Sequence, residues 1–440
     1  MIESDYLILG TGPIGVFTLK YLLERDYKVT ILDNSKKINP DLKEKGLNLK
    51  DFDEKSEVYD LTNTAYINNK RIMPISSKSK GGFTKVWGGT LNSLTEQEIG
   101  LLGMSKKKYE EIYKEILSII PNSKHIDGSK EIEKLLPSQQ IEESILAMNI
   151  GDDEIWSSEE LLLELLTIYS DQVLYINDAD VLEVNDEDTV FKIMTTNNTI
   201  FANVSKIFIC TGTFSSAQIA SRMIKANYFS IGDSDLSVWP LLRIRKKVDY
   251  KKTDALSNKA YTRFIIKFNK NNSIIKFQVF EINDDVINAI EKRAPILSKI
   301  INPIILGVQK RLYLIFAYKS SKNSHRGVFQ LNGNKTIKLK SIKPEKKLSV
   351  FRFFISFLKQ KYLLLPFSYS YGDYGSFHTG NTTLYKNESE VVFTDLGTLK
   401  GSENIHFIDS TIMKHIPAGP FTISSIIFSR FTLEKILSEK

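Results

Sequence analysis

At 440 residues the chain can bury a sizeable core and fill two or three domain-sized units. Its 42% hydrophobic and 25% charged residues are those of an ordinary soluble protein, and a single cysteine, Cys210, excludes an intramolecular disulfide framework. The net charge of +7 hides an asymmetry: residues 241–370 carry 28 Lys+Arg against 7 Asp+Glu, and the remainder is acidic overall.

The first apolar run, Tyr6 to Leu9, follows acidic Glu3 and Asp5, where a secretory signal would be basic. No apolar run is long enough to span a bilayer, so a cytoplasmic location is expected. Residues 5 to 33 read as strand, glycine turn, helix (Ile14 to Glu24) and second strand (Lys28 to Leu32). A polar connection over residues 34–80 leads to a second glycine-rich segment, Gly81 to Asn92. From Ser105 to Asp171 the periodicity predicts helices, with Ser157-Ser158-Glu159-Glu160 supplying cap chemistry. Strands with Asn/Asp turns are expected from Val173 to Cys210, and antiparallel sheet over 259–282 and 312–340. Ser349 to Leu365 reads as an amphipathic aromatic helix, followed from Gly372 by loops, a short strand at His406-Phe407-Ile408 and a closing helix.

Gly10-Thr11-Gly12-Pro13-Ile14-Gly15 fits the dinucleotide fingerprint G-x-G-x-x-G. The first glycine makes the turn, the second admits a pyrophosphate to the backbone, and the third lets helix pack on strand. The helix N-terminus then offers unpaired N–H groups to the phosphates. Asp33, closing the second strand, can hold a ribose hydroxyl. This pattern serves NAD and FAD alike. The five histidines (His125, His325, His378, His406, His415) show no zinc-site spacing, and no metal is expected.

Three later segments bear on that choice. Gly81-Gly82-Phe83-Thr84-Lys85-Val86-Trp87-Gly88-Gly89-Thr90 resembles the flavin-side loop of the glucose–methanol–choline (GMC) oxidoreductases. The strand-to-helix turn Ile209-Cys210-Thr211-Gly212-Thr213, running on to Ile219, is similar to that family's Ala-Gly-Ala turn. Phe377-His378-Thr379-Gly380, Asp395-Leu396-Gly397 and the run Gly401 to Ser410 resemble its C-terminal signature. The resemblance implies FAD as cofactor and an α/β fold: a discontinuous Rossmann-like FAD-binding domain with a substrate domain built on antiparallel sheet plus helices. It implies that Gly81, Gly82, Trp87, Gly88 and Gly89 line the flavin, that Val181 meets the adenine, and that Asp409 lies near the pyrophosphate and ribityl chain. Gly10, Gly12, Pro13, Ile14, Gly15, Asp33, Thr211, Gly212, Gly419 and Pro420 complete the expected cofactor-binding set. His378 is the expected base for hydride transfer from an alcohol carbon. Imidazole suits that task because it titrates near neutral pH.

The chain departs from the family at Gly419, within Ile416-Pro417-Ala418-Gly419-Pro420, where a second His or an Asn usually stands. A flavin-binding protein without redox turnover therefore stays open as an alternative, as does an NAD-linked dehydrogenase.

The expected division is FAD-binding segments at 1–104, 171–235 and 372–440, a helical insertion at 105–170 and a basic substrate domain at 236–371. The basic domain points to a small-molecule or glycan substrate carrying negative charge, and the family resemblance implies a hydroxyl compound, here a sugar, polyol or nucleotide-sugar. The stripe Val350, Phe353, Phe354, Phe357 and Leu358 fits a core helix, or contact of residues 348–365 with the inner face of a membrane. No nucleic-acid module is present, and no nucleic acid is expected as a partner.

Overall fold

The computed structural model describes residues 1–35, 64–67, 70–74, 76–85, 87–124, 140–148, 155–187, 190–243, 262–270, 273–281, 312–333, 335–343, 357–358, 362–364, 369–370, 379–387, 389–419 and 421–439. At its centre is a five-stranded parallel sheet. The strands are β1 (Tyr6–Leu9), β2 (Val29–Leu32), β3 (Val173–Ile176), β4 (Lys206–Ile209) and β5 (Ile405–Phe407). Their spatial order is β5-β4-β1-β2-β3. Leu7, Ile8, Leu9, Ile207, Phe208 and Ile209 are all fully buried, as continuous apolar strands covered on both faces must be.

The main helices are α1 (Pro13–Leu23), α2 (Glu96–Leu101), α3 (Lys106–Ile119), α4 (Ser158–Ile168), α5 (Thr213–Met223) and α6 (Phe421–Ser438). Ile8, Ile31 and Phe208 face one layer, packing with buried residues of α1, α3, α4 and α6. Helix α1 lies among these neighbours and is therefore apolar on nearly every side. The opposite faces, carried by Leu7, Leu9, Leu32, Ile207 and Ile209, pack on Phe214, Ala217 and Ala220 of α5. A four-stranded sheet of Ile2–Glu3, Thr199–Asn203, Val190–Thr195 and Val181–Glu187 closes that side through Val184, Phe191 and Ile193.

Two larger sheets carry the rest. One runs, in spatial order, Ser389–Val391, Thr379–Lys386, Tyr228–Asp233, Arg326–Asn332, Lys335–Ile342, Thr64–Ile67, Lys70–Pro74. The other runs Tyr362–Leu364, Leu236–Arg243, Leu312–Lys319, Ser273–Glu281, Thr262–Lys270, Gln140–Glu143, with Tyr369–Ser370 also paired to Leu236–Arg243. Strand Ser273–Glu281 alternates as a two-sided strand should. Ile275, Phe277 and Val279 enter one apolar core with Phe357, while Ile274, Lys276, Gln278 and Phe280 are buried against the other face.

Several local expectations change. Residues 34–80 are not only a connection, since Thr64–Ile67 and Lys70–Pro74 form an antiparallel pair and Thr64–Ile67 adds in parallel to Lys335–Ile342. An open sheet edge satisfies their backbone groups despite weak local patterning. The stretch 105–171 includes strands Asn122–Lys124, Gln140–Glu143 and Ile145–Ala147 beside its helices. The helix expected over 349–365 ends as strand, because Tyr362–Leu364 pairs antiparallel with Leu241–Arg243. Phe357 is fully buried with its ring 5.7 Å from that of Phe277, so the expected membrane face puts this aromatic into the core instead. Most of 348–365 lies outside the described residues. Among the described residues no helix is long and apolar enough to cross a membrane.

His406 on β5 shows what this packing costs a polar side chain. It is 2% exposed, lies tilted against Phe208, and donates from Nδ1 to the Leu396 carbonyl at 3.0 Å. Burial lowers its pKa from 6.5 to about 4. Between those values the unfolded chain binds the proton and the folded one does not, so stability falls as pH drops through that window. The expected loss is up to about 3 kcal/mol, and urea melts of His406→Phe should lack it.

Candidate active site

Strand order reverses between β1 and β4, whose following loops carry Gly10–Pro13 and Cys210–Thr213; open α/β sheets bind ligands at such a switch point. Gly10 closes β1, its N–H donating to the Leu32 carbonyl at 2.8 Å. A Cβ on Gly15 would lie 2.0 Å from the Gly10 carbonyl oxygen, so the approach of α1 to the turn requires glycine. Gly12 is the opposite case. Its φ is −61° and a Cβ there would meet nothing within 4 Å.

Pro13 and Ile14 begin α1, which has neither a side-chain cap nor an acidic residue in its first turn. Its N-terminal N–H groups are thus left to an outside acceptor, the arrangement that receives a phosphate. Gly81 and Gly82 lie over this turn: Gly81 N–H donates to the Thr11 carbonyl at 3.1 Å, and a Cβ on Gly82 would be 3.2 Å from Gly12 Cα. The Gly81 carbonyl accepts from Thr84 Oγ1 at 2.6 Å and Ser158 Oγ at 3.1 Å, tying this loop to the start of α4. Further along, Trp87 donates from Nε1 to the Trp156 carbonyl at 2.8 Å, Gly88 follows half-buried, and the Gly89 carbonyl accepts from Ala147 N–H at 2.7 Å.

On the β2 side, Asp33 is 6% exposed. Burial raises its pKa, and the Ser35 and Thr11 hydroxyls pull it back. Its carbonyl accepts from Ala179 N–H at 2.8 Å, which brings the segment leading into half-buried Val181 beside the same strand end. On the β4 side, Gly212 caps α5 with φ 82° and Thr211 Oγ1 lies 2.9 Å from Ser216 Oγ. Asp409, 1% exposed, accepts from Gly212 N–H at 3.0 Å, Ser216 Oγ at 2.6 Å and Thr411 N–H at 2.9 Å. Its carboxylate therefore fixes the turn after β4 to the turn after β5, and burial raises its pKa against those donors.

Gly81 and Gly82 thus contact the Gly10–Pro13 turn, Asp409 ties Gly212 to the turn after β5, and Gly419 lies against Lys276. His378 and Pro420 lie outside the described residues. Thr379, next to His378 in sequence, is held in place: its carbonyl accepts from Thr213 Oγ1 at 2.7 Å.

The structure resembles that of pyridoxine 4-oxidase from Mesorbium loti, with a TM-score of 0.61 at 11% identity and 99% coverage of each chain. The chain shares that oxidase's fold. No protein-family model and no curated protein sequence matches the chain.

Sequence reasoning missed a buried ion pair beside Gly419. Lys276 is fully buried with Nζ 2.7 Å from Glu98 Oε2, and Glu98 Oε1 accepts from Ala418 N–H at 3.1 Å. Next to it, Lys267 pairs with Glu142 and donates to the Ser93 carbonyl at 3.0 Å. It missed equally the His325–Asp235 pair, with Nδ1 and Oδ2 2.9 Å apart. The available signal was a lysine set among the apolar residues Ile274, Ile275 and Phe277.

Proposed function

We propose that this chain is a GMC-type oxidoreductase that binds FAD at the β1–α1 turn and oxidises a CH–OH group to a carbonyl. The observation that carries the reading is the uncapped N-terminus of α1. Gly12 leaves it open, Gly82 covers it, and buried Asp33 and Asp409 flank it at the switch point. These residues fit a dinucleotide: the α1 N–H groups suit a pyrophosphate and Asp33 a ribose hydroxyl. Gly81, Gly82, Gly88 and Gly89 offer backbone with little side-chain bulk to a flat ring. FAD, when bound, supplies the acceptor for a hydride leaving the substrate carbon. His378 is the proposed base that takes the hydroxyl proton; the anchoring of Thr379 to Thr213 supports its place near the site.

The favoured substrates are sugars, polyols and nucleotide-sugars. The excess of Lys and Arg over residues 241–370 supports negative charge on the part of the substrate remote from the reacting carbon.

The purified protein is expected to show flavin absorption that bleaches when one of these classes is added without oxygen. His378→Ala should keep the flavin colour and lose the bleaching. No flavin after reconstitution with FAD would sink the proposal, and NAD binding in its place would favour a dehydrogenase of another kind.

A further inference from the structure

We infer that Lys276, held by Glu98, donates a hydrogen bond to the substrate oxygen in the proposed oxidation. The inference rests on the FAD reading above and assigns the group that Gly419 cannot supply.

Lys276 stands where three segments meet. Asn92 and Ser93, at the end of the glycine-rich loop, contact the Glu142–Lys267 pair at 3.5 Å and 3.0 Å. Ala418 and Gly419, just before α6, contact Glu98 and Lys276. The third segment is the sheet itself, in which Lys267 and Lys276 sit directly across from one another.

Gly419 has φ +86°, and a Cβ there would lie 2.8 Å from Lys276 Cδ. The lysine stem thus fills the space into which a side chain at 419 would project. An ammonium has three N–H bonds. Among the described residues, no acceptor other than Glu98 is in position at Lys276 Nζ. A fully buried ammonium with spare N–H bonds needs a further oxygen, since leaving them unmet in a dry site is costly.

Charge narrows the choice of that oxygen. Lys276 is balanced by Glu98 and Lys267 by Glu142, so the cluster suits a neutral hydroxyl better than a carboxylate or phosphate. In the proposed oxidation the hydroxyl proton would pass to the base, a hydride would pass to FAD, and the C–O bond would become C=O. Lys276 would donate to the oxygen as negative charge develops on it, the moment at which such a donor is most effective.

The test uses the FAD-loaded protein, the compound that bleaches its flavin, and that compound's carbonyl product. Lys276→Met with Glu98→Gln removes both charges together. The double variant should retain FAD yet reduce its flavin roughly 100-fold more slowly. Titrated against the oxidised flavin spectrum, the carbonyl product should bind the variant at least roughly tenfold more weakly. Lys276→Gln, which keeps a donor on a similar stem, is the second variant and should fall between. Wild-type reduction rate and product affinity in a folded variant would overturn the assignment and leave the oxidase reading standing. Absence of flavin from the wild-type protein would remove that reading and this inference with it.

Discussion

Gly15→Ala should yield a protein that cannot retain FAD and is destabilised by roughly 3 kcal/mol or more. The added methyl would sit 2.0 Å from the Gly10 carbonyl oxygen and 3.5 Å from Cys210 Cβ, so α1 must move off the turn that anchors it. The obstacle is backbone, which no rotamer change relieves. Gly12→Ala is the matching experiment. Its φ of −61° is ordinary for alanine and its methyl meets no protein atom, so urea melts should match wild type. Its flavin retention should nevertheless fall, because the methyl would occupy the face offered to the pyrophosphate. A Gly12→Ala protein that keeps its flavin fully would count against placing the dinucleotide at this turn.

Glu98→Ala should destabilise the chain by about 3–5 kcal/mol, the usual result of stranding one member of a buried ion pair. Lys276, fully buried, would lose its counter-charge, and the Ala418 and Thr95 N–H groups would lose their acceptor. Chemical denaturation of Glu98→Ala beside the Lys276→Met, Glu98→Gln double variant separates the two contributions. The double variant should recover most of the loss, because a neutral pair of similar shape carries little desolvation cost. Equal losses in both would show that the charged pair itself, rather than side-chain volume, stabilises this junction.

The features legible in the sequence were those with short-range causes. A continuous apolar strand, a glycine turn and an uncapped helix lie within residues 6–23, and their spacing carries the whole pattern. The turn at Thr211–Gly212 and the alternation of the antiparallel strands are local in the same sense. Glu98 and Lys276 lie far apart in the chain, and no periodicity links a capping-box glutamate to a lysine in a strand. Gly419 read as a missing side chain; in the fold it is the residue that lets the lysine in. The strand at Thr64–Ile67 was hidden because its partner, Lys335–Ile342, sets its register from the other end of the sequence.

The central sheet draws its strands from residues 6–32, 173–209 and 405–407, with most of the Ser273–Glu281 sheet threaded between the last two pieces. During synthesis β4 therefore emerges long before its outer neighbour, and its edge stays open while the intervening strands are made. Pairings this distant in sequence close slowly, and an apolar open edge invites association with other chains. The nascent protein consequently has a long interval in which chaperones, rather than its own β5, must cover Ile207 and Ile209.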